Sequence, residues 1–365
     1  MISGMSNEII PFSPKRAEDK VRAELIDAVY GPEIPDFEVH KRFVAWSEAA
    51  APNSLRALRS DLKIVDQFQR AGGRPTLPLS PTHLYMLIEE RASIGAAKSS
   101  ISRLVSSMVR AHSLAQLPPC VDDLVRWKLK QVRRLDSREV RQAHGLRLKG
   151  AVADVINDDP EGPSLLGILA SLPDNPRGIR DRALLTVGYD AGLRRSELVR
   201  IRVAHLERLP NNEMALFIPR SKTDQAGEGA RAWLSSRAVS ALDAWLALTE
   251  ITEGFVFRSL SYRVGAQEHL TEGTVSRIIK ARAASYLDLL VVDEQISKNQ
   301  RDQLVRAISG HSLRVGCDQD LFAAGVDIGA IMQGLRWTNP KQPLAYARHL
   351  APATSKLAAK MRQVR

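Results

Sequence analysis

Apolar positions recur at helical spacing through most of the first third of the chain. In SLRALRSDLKIVDQFQRA, Leu55, Leu58, Leu62, Val65 and Phe68 fall three or four residues apart and make one stripe. The tract GGRPTLPLSP then breaks the pattern with glycines and prolines. A second helix is predicted from about Thr82 to Arg91. A third, KSSISRLVSSMVRAHSLAQ, turns Ile101, Leu104, Val105 and Met108 inward and leaves Lys98, Ser99, Arg103 and Arg110 at its start and on its other face. A fourth begins near Val121 and runs into WKLKQVRRLDSREVRQAHGLRLKG, a basic stretch with no apolar stripe beyond Leu135. After the break NDDPEGP, the segment SLLGILASLPDNPRGIRDRALLTVGYDAG predicts two helices around a proline-bearing turn. MALFIP and RAWLSS, separated by RSKTDQAGEGA, predict a hairpin with a long tip. Helical spacing resumes at SRAVSALDAWLALTE and TVSRIIKARAASYL and continues through SLRVGCDQDLFAAG, DIGAIMQGL, PLAYARHLA and SKLAAKMRQVR.

The expected fold is mainly α, in two parts. Residues 1–35 read as a flexible tail and 36–135 as a helical bundle. Residues 136–160 read as a basic interdomain linker, and 161–365 as a mostly helical domain carrying the small β-hairpin. A length of 365 residues fits two domains. No run approaches the roughly 20 apolar residues of a membrane span, and the N-terminus lacks the basic-then-apolar pattern of a signal peptide, so a cytoplasmic protein is expected. Cys120 and Cys317 stand far apart without the spacing of a zinc site, and read as buried free thiols. An excess of 52 basic over 41 acidic residues leaves a net charge of +11, which implies a polyanionic partner or a solubility device.

Three stretches carry candidate chemistry. In YDAGLRRSELVRIRV a glycine can end one helix and Arg194 and Arg195 open the next. Cations at a helix N-terminus are unfavourable unless an anion sits opposite them. Glu197, three residues after Arg194, is placed to hold its guanidinium. In SGHSLRVG, His311 and Arg314 share a face, where both can donate to one phosphodiester. GLRWTNPKQPLAYARHLAP adds Trp337, whose indole is hard to satisfy in a core, and Tyr346, placed early in a short helix that Pro343 can start.

In order, these are an arginine with a glutamate three residues on, a lysine in a hairpin loop, HxxR, a tryptophan, and a tyrosine nine residues later. That series resembles the tyrosine recombinase (phage integrase) family. RDRALLTVGYDAGLRRSELVRI is similar to the family's first arginine box. HSLRVG, AGVDIGAIMQ and WTN look most like the Cre recombinase branch, where tryptophan stands in place of a second histidine. The resemblance covers most of residues 160–355 and fits the helical N-terminal block, as a core-DNA-binding domain, more loosely.

The resemblance implies that Arg194 and Arg314 clamp a scissile phosphate, that His311 and Trp337 donate to its free oxygens, and that Lys222 is the mobile hairpin lysine that protonates the leaving oxygen. It implies Tyr346 as nucleophile and Glu197 as brace, with no role demanded of Arg195. No cofactor and no metal are expected, since fixed cations would carry the charge that builds on the phosphate. The expected partner is a double-stranded DNA recombination site bound by a homotetramer on two such sites, with Lys98, Ser99 and Arg103 as candidate DNA contacts. Strand exchange would pass through a 3′-phosphotyrosyl intermediate and a Holliday junction. Three alternatives are a catalytically silent DNA-binding protein of the same fold, a type IB topoisomerase-like strand relaxer, and a helical scaffold unrelated to DNA.

Overall fold

The computed structural model describes residues 21–26, 28–29, 37–136, 142–150, 163–219, 229–260, 269–348, 350, 361 and 364. The chain separates into two compact units, residues 1–139 and 140–365.

The first unit holds α1 (Phe37–Ala49), α2 (Pro52–Ala71), α3 (Pro81–Ser93), α4 (Lys98–Leu114) and α5 (Asp123–Leu135). Prolines in the first turns of α2 and α3 occupy positions with no intrahelical N–H to lose. The Ser80 hydroxyl accepts from the His83 amide, and the Asp122 carboxylate from the Val125 amide, so both helices start on capped ends. The stripe Leu55, Leu58, Leu62 and Val65 is buried against Ile101, Leu104, Val105 and Met108, with Phe68 at its edge. Each fully buried side chain of this kind contributes about 1.5–3 kcal/mol.

The expected tail is shorter than residues 1–35. Residues 21–26 and 28–29 are helical, and Leu25 and Val29 are buried in this same core. The stretch was too brief and too charged for its two apolar anchors to register as a stripe.

The second unit contains α6 (Leu165–Ala170), α7 (Pro176–Asp190), α8 (Arg195–Leu198), a 3₁₀ turn (Val203–His205), β1 (Leu206–Leu209), β2 (Glu213–Ile218), β3 (Ala230–Leu234), α9 (Ser236–Thr249), α10 (Glu272–Val292), α11 (Lys298–Ala307), α12 (Ser312–Ala323), α13 (Ile328–Gly334) and α14 (Lys341–Tyr346). Helix α7 runs through the core, buried without interruption from Ala183 to Tyr189. The sheet is antiparallel in the order β1-β2-β3, with Leu206 opposite Leu216 and Met214 opposite Leu234. Met214, Leu216, Ile218, Ala232 and Leu234 point inward, as alternation in MALFIP and RAWLSS requires. Strand β1 was not foreseen, because LERL has no alternation to show. Among the described residues no helix is long and apolar enough to cross a membrane.

Residues 142–150, in the middle of the expected linker, are part of this unit. The His144 amide donates to the Ala307 carbonyl at 3.0 Å and the Leu146 amide to Ser312 at 2.9 Å. Arg147 is buried in an ion pair with Asp320 at 2.6 Å. The segment passes so close to α12 that a Cβ at residue 316 would lie 2.0 Å from the Leu146 carbonyl oxygen, which accounts for the glycine of HSLRVG. It reads as a linker because Asp320, the acidic partner of Arg147, lies far along the chain.

Candidate active site

Helix α8 opens at Arg194, which stands as its N-cap in extended backbone. The Arg194 amide donates to Glu197 Oε2 at 2.9 Å while its guanidinium donates to Glu197 Oε1 at 2.8 Å. One carboxylate thus satisfies an orphan helix donor and fixes the cation. Burial opposes the Glu197 charge, but Arg336, the Arg194 amide and the Arg194 guanidinium outweigh it and hold the carboxyl below its ordinary range. Arg195 turns the other way, donating to Ser276 Oγ of α10 at 2.8 Å and packing over Gly310.

His311 is the N-cap of α12, exposed at the surface, and Arg314 lies a turn inside, 2% exposed. Arg314 donates to the carbonyls of Gly192, at 2.5 Å, and Leu335. Its guanidinium carbon lies 4.3 Å from the Trp337 ring centroid, within cation–π range. Burial lowers its pKa to about 9, with Arg194 and Arg336 adding to the effect and Glu197 opposing it. A buried cation held by two carbonyls and a ring, with no ion-pair partner among the described residues, is one that a bound anion would settle. Gly192 can present its carbonyl here because it ends α7 in the left-handed region, at φ +51°.

The Trp337 ring stacks on Tyr346 at 5.9 Å between centroids, tilted by 50°. Tyr346 closes α14 instead of standing early in it, because that helix starts at Lys341 and takes in Pro343 within its first turn. Two side chains pin this corner: Gln319 of α12 donates to the Tyr346 carbonyl at 3.1 Å, and Gln142 to the Ala345 carbonyl at 2.7 Å. Burial raises the Tyr346 pKa; Arg314 works against that, Asp318 with it and Arg194 against it. Partial burial, then Arg195, Arg314 and Arg194, lower the His311 pKa, with Glu197 opposing. The imidazole is therefore neutral at neutral pH and able to accept a proton.

Arg194, Glu197, His311, Arg314, Trp337 and Tyr346 thus share one site, while Lys222 lies outside the described residues. Residues 161–352 match the phage integrase family. The chain belongs to the phage integrase family. It is an enzyme of the tyrosine site-specific recombinase class. It is 27% identical over 313 residues to the integrase/recombinase xerD homolog of Selenomonas ruminantium, covering 82% of each chain. It is 25% identical over 291 residues to the recombinase cre of Escherichia phage P1, covering 78% of this chain and 80% of that one. The XerH site-specific recombinase, solved in a post-cleavage complex with a palindromic difH substrate, shares the fold. That likeness has a TM-score of 0.58 at 12% identity, over 93% of this chain and 94% of the other.

Two residues of this integrase site escaped the sequence. Arg336 is buried at positive φ and donates to the carbonyls of Ala191 and Gly192, at 2.9 and 3.3 Å, and to Glu197 Oε2 at 3.3 Å. It donates to the same Glu197 oxygen as the Arg194 amide, across a sequence separation that no local pattern reveals. Asp318 is buried on α12 beyond Arg314. Neither Cys120 nor Cys317 is bonded, and both are buried.

The candidate DNA contacts in the first unit are already partly occupied. Arg103 pairs at 2.8 Å with Asp61, a fully buried carboxylate that also accepts from Ser107 at 2.6 Å. Lys98 donates to the Asp136 carbonyl at 3.1 Å, and Ser99 is exposed.

Proposed function

We propose that this recombinase cuts and rejoins duplex DNA through Tyr346, with Arg194, Arg314, His311 and Trp337 around the scissile phosphate. The observation that carries the reading is Arg314, a buried cation stacked on Trp337 beside Tyr346, with no carboxylate within ion-pair distance among the described residues. A phosphodiester oxygen is the anion such a group is built to meet.

The Tyr346 phenolic oxygen attacks phosphorus, a new P–O bond forms, and the bond to the 5′ oxygen breaks. The phenolic proton passes to neutral His311, and Lys222 gives a proton to the departing 5′ oxygen. Charge that builds on the equatorial oxygens meets donors already in place, each such donor being worth about 2.7–4 kcal/mol. Because the 3′-phosphotyrosyl bond keeps the energy of the broken linkage, a second 5′ hydroxyl reverses the step and joins a new partner. Glu197 acts through Arg194 and Arg336, which it holds in register.

The family likeness supports two rounds of such exchange, through a Holliday junction, by a Cre-like homotetramer on two DNA sites. The first unit and residues 136–150 would add phosphate contacts, and residues 355–365 would dock on a neighbouring protomer. That last segment, Met361 and Val364 apart, lies outside the described residues. Affinity in this scheme falls steeply with salt.

The test incubates wild type and Tyr346→Phe with a nicked duplex taken from the DNA flanking the coding sequence, in EDTA, and denatures the mixture. Protein attached to a 3′ DNA end is expected with wild type alone. An adduct that survives in Tyr346→Phe moves the nucleophile elsewhere. Binding without any adduct returns the chain to the silent DNA-binding reading.

A further inference from the structure

One buried acid has no place in that reaction. Asp318 follows Arg314 by one helical turn on α12 and is fully buried, and neither of its carboxylate oxygens has a hydrogen-bond partner among the described residues. Its neighbour Asp320 shows what a satisfied acid looks like here, accepting from Arg147, the Leu148 amide and Tyr189. An ionised carboxylate left alone in such a place costs several kcal/mol, and the ordinary resolution is to keep the proton. Burial pushes Asp318 up to about 8, with Arg314 alone pulling the other way.

Three groups feel its charge. Arg314 lies on its own helix, with the guanidinium turned to Gly192, Leu335 and Trp337; Cys317 adjoins it in sequence; and Tyr346 belongs to α14, which α12 contacts through Gln319. A neutral Asp318 leaves the Arg314 charge undiminished and Tyr346 free to lose its proton. An ionised Asp318 would offset the first and oppose the second.

Resting on the assignment of Tyr346 as nucleophile, we propose that Asp318 is a positioning residue for strand cleavage, a carboxylic acid held neutral behind Arg314 and Tyr346 whose ionisation slows the attack. It acts through those two side chains and touches no DNA. A phosphate bound at Arg314 adds negative charge nearby and keeps the acid protonated to still higher pH, so DNA itself would stabilise the competent form.

The experiment compares single-turnover cleavage by wild type and Asp318→Asn on the nicked duplex, from about pH 7 to about pH 9.5. Asparagine has nearly the same shape and cannot ionise. The ratio of wild-type to variant rate is expected to fall severalfold along a single ionisation at about 8 or above. A ratio constant over that range overturns the proposal.

Since the substitution can alter folding, thermal unfolding against pH is measured on wild type, Asp318→Asn and Asp318→Leu. The folded pKa lies above the unfolded one, so the folded state holds the extra proton. Wild type should lose stability relative to both variants as pH rises from about 4 to about 8, and run parallel to them beyond. Parallel curves throughout overturn the neutral acid, and a stability difference with a constant cleavage ratio overturns its role in the reaction. Wild type that binds the duplex and forms no adduct sinks the nucleophile assignment and this role together, whereas adducts with a constant ratio sink the role of Asp318 alone.

Discussion

The two units spend buried charge differently. In the first, Asp61 is fully buried but meets Arg103 and Ser107, and His112 is buried but accepts from the Leu79 amide and bonds the Pro118 carbonyl. Both are completed by protein, as Arg147 and Glu197 are in the second unit. In the second, Arg314 is nearly as buried yet faces carbonyls and a ring, and Asp318 has no hydrogen-bond partner among the described residues. A buried charge with its partner is part of the architecture; one without a partner is destabilising unless something outside the chain completes it. His311 makes the same contrast with His112: burial lowers the pKa of both, but His112 is completed by two bonds in a core, one of which opposes the shift, whereas His311 stands at an exposed surface where Arg195, Arg314 and Arg194 add to it.

The sharpest test of this contrast is Arg314→Met, which keeps bulk and removes charge. Cleavage should fall at least about a thousandfold, roughly 4 kcal/mol of barrier, while unfolding stability in urea stays within about 1 kcal/mol of wild type. A large loss of stability would mean that Arg314 is structural after all and would break the comparison.

Arg103→Ala should behave in the opposite way. It leaves buried Asp61 with Ser107 alone, and a stability loss of about 1–3 kcal/mol is expected from the urea midpoint at unchanged slope. Arg103 is itself half exposed, which keeps the figure below that of a fully buried pair. Unchanged stability would free Arg103 for DNA and erase the difference between the units.

Glu197→Gln is the mildest of the three, because it keeps shape and weakens only the clamp on Arg194 and Arg336. About a tenfold slower cleavage is expected. The Glu197 pKa is lowered in the folded state, so its stabilisation is present at neutral pH and is lost as pH falls below about 4.5. The glutamine variant should lack that part of the acid-limb loss in a stability-against-pH series. An unchanged acid limb would mean that Glu197 is not held ionised by its two arginines.

Much of the site could be read from the chain because its parts are short-range. Arg194 and Glu197 are three residues apart on one helical turn, and His311 and Arg314 repeat the interval, so spacing alone places each pair together. Arg336 was illegible for the opposite reason: its partners Ala191, Gly192 and Glu197 lie well over a hundred positions earlier, and an arginine between Leu335 and Trp337 carries no mark of them. Residues 142–150 misled through composition. A basic stretch with no stripe between two helical blocks suggests a linker, and only contact with Asp320, Ser312 and Ala345 makes it part of the second unit. Tyr346 was placed in the right helix but at the wrong end, because a proline opens a helix at any position of its first turn.

Periodicity, composition and neighbours within a turn are enough for the helical class, the hairpin of β2 and β3, the cationic character and the identity of the paired residues. Folding alone establishes that Glu197 is held by two arginines, that Arg314 rests on Trp337 with no counter-ion among the described residues, and that Asp318 is sealed from water. Those facts depend on burial and on partners brought together across the whole unit. The cost of a charge is set by what surrounds it, and the surroundings exist only once the chain has folded.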